Sequence, residues 1–195
     1  AYGLYLQARK ARATYSYGGL KAAEDLLKGA LLIDPDFLDA KTELASGYIQ
    51  QFETGLLDPQ EAVDEILIII DQVLEERPDD PVARATAAYA RAVDDLFAGR
   101  YETMGRAAEE LEEIVSDHPD EFQPRLLLVR TYTALQRNDE AIPLLEEALA
   151  ADPYNPQILY ELGTAHVRAG HWEEARAVLE KSLEIEPLQP NVLNN

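Results

Sequence analysis

Three histidines, no cysteine and a large excess of acids make up the reactive stock of this chain. The missing cysteines rule out a disulfide framework, a thiolate metal site and a thiol nucleophile, and leave the compartment open between cytoplasm and periplasm. His166 and His171 are five residues apart with a helix break expected between them. They therefore lack the one-turn spacing with which two imidazoles on a helix grip a metal. His118 stands beside Pro119 in an expected turn. Glu109-Glu110 and Glu112-Glu113 fall on an expected helix, where adjacent acids diverge around the axis and make a solvated face, not a convergent calcium loop. No phosphate-binding glycine loop, dinucleotide fingerprint or paired-histidine zinc motif occurs. The residues thus point to no enzyme, no metal and no cofactor.

Thirty-seven Asp and Glu against 17 Lys and Arg give a formal net charge of -20. A field of that sign repels polyanions, so nucleic acid and anionic lipid are disfavoured partners. The longest aliphatic run, Ile66 to Ile70, falls far short of the roughly 18 apolar residues of a membrane span, so no membrane contact is expected from this segment. Beginning at Ala1 without Met or an apolar leader, the chain reads as a segment of a larger protein.

What positions these residues is a repeat. Pro35, Pro78, Pro119, Pro153 and Pro187 each close a charged helical stretch, at spacings of 43, 41, 34 and 34 residues. Between the stops apolar residues recur at three and four, so each unit reads as two helices joined by a turn. In residues 156–189 a first helix carries Leu159, Leu162 and His166 on one face and breaks at Ala169-Gly170, and a second carries Ala175, Val178, Leu179 and Leu183. Glycine ends the first because it accepts the left-handed cap; proline ends the second because the residue before it is pushed out of the helical region.

The residues of this unit resemble the tetratricopeptide repeat, a 34-residue helical hairpin. Leu159, Leu162-Gly163, His166, Ala175, Leu179, Ser182 and Pro187 fall where that family carries a large residue, Leu-Gly, an aromatic, Ala, a large apolar residue, Ala and Pro. Residues 122–155 supply Arg125, Leu128-Val129, Tyr132, Ala141, Leu145, Ala148 and Pro153. Residues 4–37 supply Gln7, Lys10-Ala11, Thr14, Ala23, Leu27, Ala30 and Pro35, a good second helix behind a degenerate first. Residues 38–80 and 81–121 exceed the repeat by nine and seven. Since about two turns of extra helix leave the buried face nearly unrotated, longer hairpins are expected there. Asp58-Pro59-Gln60-Glu61 marks the start of a long helix running toward Glu76. The resemblance implies an all-α, right-handed α-solenoid over 1–195 as a single domain, with a partial cap at 190–195.

It also implies that first helices line a concave face. First-helix segments hold 11 basic and 6 acidic residues and the remainder 6 and 31, a net of +5 against -25. That points to a neutral-to-basic groove attractive to acidic peptide segments, or to solvated acidic second helices and nothing more. The family's groove positions carry over as Tyr5, Arg12, Tyr15, Thr42, Ser46, Ile49, Gln50, Gln123, Arg130, Thr133, Tyr160, Thr164 and Arg168. The lysine and asparagine clamp that some members use for chaperone tails is missing, with Ala8 and Arg12 at its first-repeat places. The expected function is a scaffold that binds a peptide or partner protein in the groove, or else a regulatory or self-assembly module of a larger signalling, secretion or transcription-regulator protein. Tyr2, Tyr5, Tyr15 and Tyr17 leave a capping core, a homo-oligomer patch through the terminal repeats and a ligand wall all open.

Overall fold

The computed structural model describes residues 1–14 and 16–185, and among them it contains ten α-helices and no strand. These are α1 (Tyr2–Arg12), α2 (Tyr17–Ile33), α3 (Leu38–Glu53), α4 (Pro59–Glu76), α5 (Pro81–Phe97), α6 (Tyr101–Asp117), α7 (Phe122–Ala134), α8 (Asn138–Ala151), α9 (Pro156–Ala169) and α10 (Trp172–Ile185). The fold class is the expected one, all-α helical hairpins of the α-solenoid type. Pro187 and the cap expected at 190–195 lie outside the described residues.

The proline stops act through the residue before them. Asp34, Arg77, His118 and Asp152 end α2, α4, α6 and α8 with φ of -140, -131, -130 and -133°, out of the helical region, as steric conflict with the proline ring requires. At the start of α4 the Asp58 side chain accepts hydrogen bonds from the Gln60 and Glu61 amides, with Pro59 in the first turn. The added length of the middle repeats is mostly helical, with the rest in the α3–α4 loop at 54–58. Helices α3 to α6 run to 16, 18, 17 and 17 residues, whereas α7 to α10 have 13 or 14.

By packing the chain falls into two compact units, Ala1–Pro124 and Arg125 onward, with the boundary in the first turn of α7. In the first unit each helix packs on the next, and α1 also meets α3 and α3 meets α5, so first helices lie side by side in one layer. In the second, α8 packs on α9 and α9 on α10. Small residues sit at the close contacts: Ala45 and Ala141 are fully buried, and Ala23, Ala107 and Ala175 nearly so. Leu27, Ile70, Leu111, Leu145 and Leu159 fill the space between them. Burying such a side chain contributes about 1.5–3 kcal/mol, which a single hairpin cannot gain alone and stacked neighbours can.

Candidate functional site

Four of the five first helices end in the same device. An amide two or three residues past the helix end bonds back to a carbonyl five residues earlier: Leu56 to Gln51 at 2.8 Å, Arg100 to Asp95 at 2.7 Å, Arg137 to Tyr132 at 2.8 Å and His171 to His166 at 2.9 Å. The residue between takes positive φ, as Gly55, Gly99 and Gly170 do at 72, 70 and 80°. Gln136 fills that place in α7 at φ 60°, a conformation that strains any side chain with a Cβ. This is the Schellman cap, and it brings the two side chains at its ends together. Thus Arg100 Nε bonds Asp95 at 2.7 Å, and Arg137 stacks 4.4 Å from the Tyr132 ring centroid.

The layered first helices of the first unit bring five of the expected residues around one cavity of about 250 Å³. Tyr5, Arg12, Thr42, Ser46 and Gln123 line it, together with Asp39, Glu43, Asp80 and Val82. Arg12 Nε donates to Glu43 at 2.7 Å, and Ser46 donates to the Thr42 carbonyl at 3.0 Å. The Tyr5 ring lies 5.2 Å from that of Phe37, and Arg9 sits over its face at 5.8 Å. Burial raises the Tyr5 phenol above its ordinary pKa against the opposing pull of Arg9. The expected basic groove is not what this wall presents, for three carboxylates face one guanidinium, which is already paired. Ile49 is 1% exposed and belongs to the core. Gln50 is 6% exposed, and its Oε1 is buried with no hydrogen-bond partner. Tyr15 lies outside the described residues.

In the second unit Arg130 donates to Glu161 at 3.3 Å, with both side chains mostly buried. Arg12–Glu43 and Arg130–Glu161 are each 31 residues apart and join one first helix to the next. Three less than the 34-residue repeat, that separation marks equivalent places in different repeats. Thr133, Tyr160 and Thr164 are half-buried, Arg168 is exposed, and the Thr164 hydroxyl is a second buried oxygen without a partner.

A separate polar cluster between α2, α3 and α4 was missed in the sequence reading. Glu24 accepts from Lys21 at 2.8 Å, Lys28 at 2.7 Å and Gln51 at 3.2 Å, beside a cavity of about 220 Å³. Burial pushes the Glu24 carboxyl up, but the three donors outweigh it and hold it below the ordinary range. Hydrogen bonding to Glu24 raises both Lys21 and Lys28. The spacing of Lys21, Glu24 and Lys28 at three and four residues is the sequence signal that would have found the two ion pairs. Arg91 of α5 is exposed and donates to Glu110 of α6 at 2.8 Å. The break between His166 and His171 does not part them: the cap of α9 sets their Nδ1 atoms 3.5 Å apart. Among the described residues no group of three or more metal-ligating side chains is gathered, and no helix is long and apolar enough to cross a membrane.

Stacked helical hairpins with a polar layer of first helices define a helical-repeat protein. Two tetratricopeptide-repeat models match the sequence, over residues 89–156 and 134–194, and together they span more than half of it. The chain belongs to the tetratricopeptide repeat (TPR) proteins, whose general function class is the protein-interaction scaffold. No curated protein matches it in sequence. Among solved structures, a thermophilic TPR protein of Thermus thermophilus superposes with a TM-score of 0.74 at 22% identity, covering 98% of this chain and 95% of that one. YrrB, described as a TPR protein with an unusual peptide-binding site, gives 0.53 at 17% identity, covering 94% and 87%. MamA from Desulfovibrio magneticus RS-1 gives 0.51 at 19%, covering 78% and 79%.

Proposed function

We propose that the chain is a non-catalytic scaffold whose first helices hold an extended peptide or a segment of a partner protein. The observation that carries this reading is the convergence of Tyr5, Arg12, Thr42, Ser46 and Gln123, from separate first helices, on one cavity. Aromatic and guanidinium groups combine large contact area with polar handles, the mixture typical of binding hot spots. A guanidinium carries five N–H donors, and the Glu43 bond engages Arg12 through one, holding the side chain in a fixed orientation at low entropic cost to a ligand. YrrB's described peptide-binding site, in a chain of the same fold, is consistent with this use.

The two units favour different chemistry. Asp39, Glu43 and Asp80 make the first unit's cavity suit a segment with basic or amide donors, and Arg168 with Tyr160 on α9 suits acidic residues. The test is equilibrium binding of fluorescent acidic, basic and neutral peptide libraries to the full chain and to the variants Tyr5→Ala, Asp39→Asn and Arg168→Glu. Tyr5→Ala and Asp39→Asn should weaken basic peptides, and Arg168→Glu acidic ones, each several-fold and with salt dependence. Affinity untouched by all three, and lost instead when Lys21 or Lys181 of the second helices is reversed in charge, would refute the first-helix assignment.

A further inference from the structure

The cap of α9 brings the His166 and His171 rings together, with centroids 5.7 Å apart and planes tilted by 53°. His166 is 6% exposed and lines a cavity that Glu146 and Glu174 also line, whereas the His171 side chain is 45% open to solvent. Two imidazoles bound to one tetrahedral ion at roughly 2.0–2.1 Å hold their nitrogens about 3.3 Å apart. The observed Nδ1 separation of 3.5 Å is close to that bite. Chelation brings the centroids to about 5.2 Å, a small approach from the observed 5.7 Å that the broad second torsion of histidine accommodates.

We propose that His166 and His171 form a two-imidazole site for a divalent transition ion such as Zn²⁺, Ni²⁺ or Cu²⁺, ligated through both Nδ1 atoms. Imidazole nitrogens select that class of ion over Mg²⁺ and Ca²⁺, which prefer oxygen. Each ligating Nδ1 offers its lone pair, so the single proton of each neutral ring resides on Nε2. Asp139 stands 3.9 Å from His171 Nε2, where a carboxylate favours that tautomer. The carbonyl end of α9 adds a negative partial charge beneath the ion. The remaining coordination positions are filled by water, by Glu174 after a change of rotamer, or by a side chain of a bound partner.

The test is calorimetric titration of the tag-free full chain with Zn²⁺, in millimolar Mg²⁺ to occupy the acidic surface, with long-range ¹⁵N spectra of the histidine rings. One equivalent should bind, with the Nδ1 resonances of two rings shifted. His171→Ala should lower the association constant at least tenfold with unchanged helicity, and His118→Ala should leave it as it was. Absence of binding up to millimolar Zn²⁺, ligation through Nε2, a shift confined to His118, or full binding by His171→Ala would each overturn the site.

Discussion

A Cβ placed on Gly163 of α9 lies 2.4 Å from Leu179 Cδ2 and 2.6 Å from its Cγ on α10, against an ordinary contact of 3.4–4 Å. Because the Cγ itself is struck, rotation of the Leu179 methyls cannot clear the space, and the side chain or the helix must withdraw by roughly 1 Å. Such overpacking costs about 1–3 kcal/mol, while Ala in place of Gly returns about 1 kcal/mol of helix propensity. Gly163→Ala should therefore be net destabilising by up to about 2 kcal/mol. Gly105 in α6 meets nothing within 4 Å, so Gly105→Ala keeps the propensity gain alone and should stabilise by about 1 kcal/mol. Repeat arrays open piecewise, and amide hydrogen exchange reads each hairpin separately. Exchange in α9 and α10 should quicken with Gly163→Ala, and that in α6 should slow with Gly105→Ala. If Gly163→Ala protected α9 and α10 as well as the parent does, the close helix approach would be wrong.

Gln136→Gly should stabilise by about 1 kcal/mol, since glycine relieves the left-handed strain at φ 60°; a lowered denaturant midpoint would count against it. Pro143 lies inside α8 on its exposed side, and Pro143→Ala restores a helix donor, so thermal stability should rise by about 1–3 kcal/mol in scanning calorimetry. The Glu24 carboxyl is held below its unfolded value, so its contribution is complete above that value and is lost as pH falls through the folded one. Denaturant midpoints compared between the parent and Glu24→Gln should therefore differ at pH 7 and converge at strongly acid pH, and a constant difference would remove Glu24 from the acid dependence.

The repeat was legible because its punctuation is covalent: Pro35, Pro78, Pro119 and Pro153 dictate the backbone of the residue before them in any context. The Asp58-Pro59 start of α4 is local in the same way. The electrostatics of the candidate site were not legible from segment charges, because charge counts ignore pairing between neighbouring helices. Arg12 and Arg130 each meet a glutamate 31 residues on, and that recurring spacing was available in the sequence. Arg130 is consequently a structural ion-pair member as much as a groove residue, and its loss would deprive the mostly buried Glu161 of that partner. Arg168 is the cleaner probe. Ile49 was assigned by repeat position and sits in the core because its helix is covered on more than one side. The histidine pair was missed because helical spacing was applied across a cap whose geometry folds the chain back.

The central claim is that the first helices hold the partner, and its most direct measurement is hydrogen exchange of the full chain with and without a saturating peptide selected from the libraries. Slowed exchange on α1, α3 and α5, or on α7 and α9, is predicted. Protection confined to α2, α4, α6, α8 and α10, with the first helices unchanged, would contradict it.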